Sequence, residues 1–242
     1  IGLSRTAQWC GTGRPCDAET FANLLLGRDN RGVNVAVDKE PGNQLGGMDL
    51  RWASPVGDLP YAVYLQWIGE DTRQGGPQIG SWLRQLGVEF WGAGPGRGWQ
   101  HRTHVEVADT MCQEGGIGFG KEKPNCAYNH GLYQTGYRYR GRAIGHGIDG
   151  DGFSYTIGST LLDSRGNSLN VLARRVDINR VGDQRNSLSA TPQEIAELSV
   201  SYRRQFSLGT LSLGVEYSRL RQNSADSGTD SSLEWWAGFE TR

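Results

Sequence analysis

No run of this sequence approaches the roughly 18 apolar residues of a membrane-spanning helix, which excludes a helical membrane domain. Hydrophobic residues are few: 36% of 242, with a mean hydropathy of −0.54. That is lean for a domain built around one large central core. Proline is scarce, with eight residues, and no excess of charge exists, the formal net value being −1. A dedicated nucleic-acid binder would carry a clear basic excess, so nucleic acid is not an expected partner. Catalytic signatures are missing too: there is no GxSxG elbow and no HExxH. Adjacent carboxylates such as Glu70 and Asp71 are too ordinary to imply glycoside hydrolysis. We therefore expect no enzyme and no cofactor. No signal peptide is visible, and the chain enters strand-like sequence at once with IGLSRTAQW. An upstream part is expected.

What is abundant is glycine, 36 residues, about twice the ordinary usage of about 7%, without the triplet repeat of collagen. The dominant signal is alternation with period two, the mark of strands whose two faces differ. In LEWWAGFETR, Leu233, Trp235, Ala237 and Phe239 share one face, opposite Glu234, Trp236, Gly238 and Glu240. In LSLGVEYSRL, Leu211, Leu213, Val215 and Tyr217 oppose Ser212, Gly214, Glu216 and Ser218. Ten strands are predicted: 1–9, 44–54, 61–70, 81–91, 99–110, 153–162, 168–178, 195–206, 210–221 and 233–242. Most are near the roughly 9–11 residues that a tilted strand needs to cross a bilayer.

The connections alternate in length. Segments 10–43, 71–80, 111–152, 179–194 and 222–232 are long; 55–60, 92–98, 163–167 and 207–209 are short. Long loops at one end and tight turns at the other are the outer-membrane barrel pattern. A soluble β-sandwich would alternate too, but has no reason to sort its loops by length. The predicted fold is an all-β transmembrane antiparallel up-and-down barrel. It spans 1–242 as one partial barrel, the C-terminal half of a larger one, with one short helix in a loop. That helix is placed by DAETFANLLLG, where Asp17 can cap and Phe21, Leu24 and Leu25 form an apolar stripe. Aromatics gather near strand ends, where an amphipathic ring suits a membrane interface.

The four cysteines form two local pairs, Cys10 with Cys16 and Cys112 with Cys126. Four cysteines allow three connectivities, and sequence does not choose among them. Neighbour pairing is the simplest, and it implies an oxidising compartment. In the barrel frame both pairs fall in outside loops. Zinc would need CxxC spacing, which is absent. His101 and His104, three apart on a strand, point to opposite faces and cannot easily share a metal.

The stretch YRYRGRAIGHGIDGDG, residues 137–152, concentrates the unusual chemistry. Asp149 and Asp151 start like a calcium loop, but Phe153 and Thr160 stand where the template needs ligands, leaving a Gly-rich turn. GAGPGRG at 92–98 has no Lys-Ser/Thr and no following helix, and reads as a flexible turn. Arg138, Arg140 and Arg142 could pair with carboxylates, while Tyr137, Tyr139 and Trp99 could stack on sugars. With His146 they form the candidate site for an acidic polysaccharide. The segment is a candidate both for plugging the barrel and for touching a glycan.

Several segments together resemble the capsule assembly protein Wzi family: SRTAQWCG, LLLGRDN, EPGNQLGGMDLRW, YLQWIGED and YNHGLYQTGYRYRGRAIGH. They run in the family's order. The matching motifs include Arg28, Asp29 and Asn30 in GRDN, and Glu70 and Asp71 in GED. The resemblance implies an outer-membrane barrel larger than ten strands. It further implies a non-catalytic lectin that attaches capsular polysaccharide to the cell surface. Expected partners are that polysaccharide, the outer-membrane bilayer and the capsule-export machinery. A porin-like transport channel is the alternative.

Overall fold

The computed structural model describes residues 1–26, 42–57, 59–72, 79–115, 119–131, 133–222 and 228–241. Ten long antiparallel strands form one meander: β1 (Gly2–Trp9), β2 (Gly42–Ala53), β3 (Tyr61–Thr72), β4 (Ile79–Ala93), β5 (Trp99–Glu114), β9 (Phe153–Asp163), β10 (Ser168–Ile178), β11 (Gln193–Phe206), β12 (Gly209–Gln222) and β13 (Thr229–Thr241). Between β5 and β9 lie three two-residue strands, β6 (Glu122–Lys123), β7 (Arg138–Tyr139) and β8 (Arg142–Ala143). The sheet order is β1-β2-β3-β4-β5-β9-β10-β11-β12-β13, so the insertion between β5 and β9 leaves the meander intact. All ten predicted strands are present. Long connections sit at one end of the sheet and tight turns at the other, as the loop lengths required.

Register shows why the sheet has two faces. One row across it reads Trp52, Val63, Val88, Val105, Ile157, Ala173, Leu198, Tyr217 and Leu233, apolar or aromatic on nine strands. The row one residue away reads Arg51, Tyr64, Gly87, Glu106, Thr156, Arg174, Glu197, Ser218 and Ser232, without one aliphatic side chain. Successive side chains point to opposite faces, so this separation is a direct product of the period-two pattern. The apolar face is open: Ile157 is 54% exposed and Trp235 79%. Exposed, contiguous apolar area of this size calls for a nonaqueous neighbour.

The polar face holds its own side chains flat. A Cβ on Gly87 would run into the Tyr64 ring, and one on Gly214 into that of Trp236. These glycines are open places into which neighbouring rings fold. Glu89, 2% exposed, is clamped between Arg51 and Arg102, whose Nε atoms donate to it at 2.7 and 2.8 Å. Tyr64 donates to Glu106 at 2.9 Å.

The polar face also receives the insertion. Tyr137 donates its hydroxyl to the backbone carbonyl oxygens of Asn43 (2.5 Å) and Thr6 (3.2 Å), on β2 and β1. Its neighbour Arg138 grips Asp149, which accepts from Ser187 in the loop after β10. β1 and β10 are six strand steps apart, about 29 Å along a flat sheet at the usual 4.7–4.9 Å spacing. Two adjacent residues can serve both ends only because the sheet curls around the insertion. The insertion is therefore a plug.

Helix α1 (Ala18–Leu25) forms where DAETFANLL placed it. Asp17 accepts from the Thr20 backbone N–H at 2.8 Å, and the Asp17 N–H donates back to the Thr20 hydroxyl. Arg5 of β1 satisfies carbonyl oxygens at the other end, donating to those of Leu24 and Leu25. Trp9 and Phe21 pack with centroids 5.1 Å apart.

Both neighbour disulfides form, Cys10–Cys16 and Cys112–Cys126. Cys112 lies in β5, however, and not in a loop. The strand runs past the predicted end at 110 because Gln113 and Glu114 pair with Trp82 and Ser81 of β4, and Cys112 and Gln113 pair with Lys123 and Glu122 of β6. β1 pairs only with β2, and β13 only with β12, among the described residues.

Candidate functional site

The plug is anchored by two aspartates that the sequence suggested only as turn residues. Arg138 donates to Asp149 from Nη2 (2.6 Å) and Nε (2.9 Å), the planar fork that carboxylates match best. Asp149 also accepts from the Ser187 hydroxyl at 2.5 Å and from the Gly150 N–H at 2.6 Å. The other Arg138 nitrogen donates to Asn129 at 2.6 Å and to the Tyr128 carbonyl oxygen at 3.1 Å. Asp151 takes the Asn125 N–H on both oxygens, and its own N–H donates to the Thr110 carbonyl oxygen at 3.3 Å. Both aspartates hold a left-handed backbone, with φ of 53° and 59°. That conformation suits Asp and Asn better than other non-glycine residues.

Adjacent carboxylates are thus tuned in opposite directions. Burial acts to raise the pKa of Asp149, but Arg138, Ser187 and the Gly150 N–H outweigh it and hold that pKa below the ordinary value. For Asp151 burial wins, and its pKa is raised. The depressed Asp149 contributes stability above its unfolded pKa, lost as pH falls through its folded value. The raised Asp151 has the reverse sign: its contribution is full below its unfolded pKa and is lost as pH rises through the folded one. Corrected for the intrinsic pH dependence of amide exchange, protection of the plug should therefore rise as a neutral sample is acidified, then fall below the ordinary carboxylate value of about 4. Asp151→Asn should remove the first limb and leave the second. A profile without an acid limb would refute the anchoring role of Asp149.

Of the predicted site residues the structure brings Tyr139, Arg140 and Arg142 together and sets the others apart from them. Tyr137 is 3% exposed and spent on the strand carbonyl oxygens. Arg138 is consumed by Asp149. Arg140 and Gly141, with φ of 51° and 78°, make the two-residue turn between β7 and β8, as positive φ at both positions requires. Tyr139, 67% exposed, carries the Arg140 guanidinium 5.3 Å from its ring, and Arg142 is exposed beside it. His146 is partly buried and faces a cavity of about 400 Å³ under the plug, with Tyr128, Gln66 and Gln85. Trp99 folds over the short turn at 94–98, at the opposite end of the strands from the plug. Glu70 is buried on β3. Arg28, Asp29 and Asn30, and the side chain of Asp71, lie outside the described residues.

One polar opening was not expected from sequence. A cleft of about 580 Å³ lies where the plug meets the loop after β10, lined by Lys123, Asn125, Asn129, His130, Gln134 and Arg185. Amide side chains offer a donor and an acceptor side by side, which suits neighbouring sugar hydroxyls, and cations suit carboxylates. No local motif marks it, because its residues come from two separate loops. Among the described residues no group of His, Cys, Asp and Glu is placed to hold a metal ion.

Comparison with known proteins agrees with this architecture. A solved structure described as Wzi, an outer membrane protein involved in group 1 capsule assembly in Escherichia coli and a carbohydrate-binding β-barrel, matches with a TM-score of 0.67. The match covers 98% of this chain and 47% of that one, at 21% identity. An uncharacterised 55.8 kDa protein in the cps region of Klebsiella pneumoniae is 37% identical over 94 residues, 38% of this chain and 18% of that protein. The chain thus spans less than half the length of either. The family model of capsule assembly protein Wzi matches residues 1–234, which takes in the whole plug and the wall as far as the first half of β13, and the chain belongs to that family.

Proposed function

We propose that this chain forms wall and plug of an outer-membrane barrel that binds an acidic, capsular polysaccharide at the cell surface without catalysis. The carrying observation is the cleft of Lys123, Asn129, His130, Gln134 and Arg185 at the long-loop end. Long loops belong to the outside of such barrels, so this end meets the capsule. The exposed Tyr139, with Arg140 and Arg142 beside it, adds a stacking surface at the plug's own hairpin. The apolar rows support placement in lipid. Lipid tolerates no open sheet edge, so β1 and β13 are met by further strands in the complete barrel. A plug tied to the wall by Cys112–Cys126 and Tyr137 favours binding over free transport.

Retention of the full-length protein in detergent on immobilised host capsule tests the proposal. Wild type should be held at low salt and released by high salt, as screening requires. Lys123→Ala with Arg185→Gln should weaken retention about tenfold or more, the scale of losing hydrogen bonds from charged donors. Failure of wild type to bind would reject the function. Unchanged binding by the variant would reject the cleft.

A further inference from the structure

The open apolar face carries a second feature at its long-loop margin. On β10 and β11 two small residues, Ala173 and Ala196, interrupt the larger side chains. Between Tyr155 and Ile157 on one side and Leu198 and Tyr217 on the other they leave a groove of about 420 Å³. The groove is almost wholly apolar until its long-loop end, where Arg175 closes it. The register row at that level reads Tyr155, Arg175, Ala196, Arg219 and Ser231. Arg221 follows two residues beyond Arg219 on the same face of β12, opposite Glu194.

The charges at this margin do not cancel. Arg175 pairs with Glu194 at 2.8 Å and with Asp177 at 3.7 Å. Among the described residues neither Arg219 nor Arg221 has an ion-pair partner. Three arginines thus face two carboxylates, all next to the last apolar row. An exposed apolar slot that ends in excess guanidinium groups complements one kind of molecule: an acyl chain carrying an anion at its head. The guanidinium fork matches phosphate oxygens in particular.

We propose that this groove binds one phosphate-bearing membrane lipid, its acyl chain along Ala173 and Ala196 and its phosphate held by Arg175, Arg219 and Arg221. The site is separate from the glycan cleft and goes beyond the function above, but it rests on the reading that this face meets lipid. It gives the barrel a fixed depth, because the phosphate layer must sit at the Arg175 level. It also places an ordered anionic lipid below the loops that would meet the polysaccharide.

The full-length protein in detergent, titrated with dioleoyl phosphatidic acid or with dioleoyl glycerol and weighed intact by native mass spectrometry, tests the site. The phosphate-bearing lipid should bind at least tenfold tighter. Arg175→Gln, Arg219→Gln and Arg221→Gln together should remove that preference, at about fivefold per arginine, the usual gain from a cation near an anionic membrane surface. Ala173→Leu, which fills the groove, should weaken both lipids alike. Equal binding of the two lipids by wild type, or an unchanged triple variant, would overturn the proposal. Heat-modifiable gel mobility checks that each variant is folded. Detergent-phase partitioning separates the two levels: a protein that stays in the aqueous phase refutes the membrane placement itself, while one that partitions without preferring phosphate refutes only this site.

Discussion

Asp149→Ala is expected to unseat the plug. The substitution leaves the Arg138 guanidinium, 10% exposed, without its counter-charge. Breaking a buried pair by removing one member costs about 3–5 kcal/mol, most of it from the stranded charge. The loss should be local, because the strands keep their ladders. Hydrogen exchange should quicken at Tyr137, Ile144 and Arg180, whose N–H groups donate within the plug or to it, and a protease should gain a cut between 119 and 152. Replacing both partners with apolar residues, Arg138→Met with Asp149→Leu, should recover much of the loss, since the pair's desolvation cost disappears with it. If Asp149→Ala exchanges like wild type, the plug is held elsewhere and Asp149 is not its anchor.

A second large effect comes from a shift of one position in β9. Ile157→Arg places a charge in the middle of the apolar row, and on a lipid-facing strand this costs about 2–4 kcal/mol. Thr156→Lys, its immediate neighbour, adds a cation to the polar face beside Glu106. That change should stay within about 1 kcal/mol, as exposed ion pairs do. Urea unfolding in lipid vesicles measures both. Equal costs would show that the two faces meet the same medium, which contradicts a membrane wall.

Much of the wall was legible because its information is local. Alternation in LSLGVEYSRL says which side chains share a face whatever else the chain does, and the strand Gly209–Gln222 follows it. Asp17 and Thr20 cap α1 from within three residues. Loop lengths order the ends without any knowledge of contacts. Where a boundary missed, a distant partner was the reason: β5 lengthens to Glu114 because Gln113 and Glu114 still pair with Trp82 and Ser81 of β4, while β6 pairs on its other side.

The site was legible only as a region. YRYRGR looks like one face of arginines and one of tyrosines, because a continued strand would make it so. The turn at Arg140 and Gly141 breaks that alternation, and the three arginines part company. Arg138 goes inward to Asp149, while Arg140 and Arg142 remain outside. Trp99 was grouped with them by chemistry, although the β4–β5 turn places it at the other end of the strands. The polar cleft beside the loop after β10 had no signature at all, since Arg185 stands some fifty or sixty residues from Asn129, His130 and Gln134.

The sequence by itself determined a two-faced antiparallel meander with its long loops at one end, because side-chain alternation and loop length are properties of neighbouring residues. Only the tertiary structure decided that the longest insertion folds inward as a plug. That choice depends on Tyr137 finding carbonyl oxygens of β1 and β2, and on Arg138 finding Asp149 and, through it, Ser187. Those partners are up to about 130 residues away in the chain, and a buried cation stays buried only where the curled sheet delivers its anion.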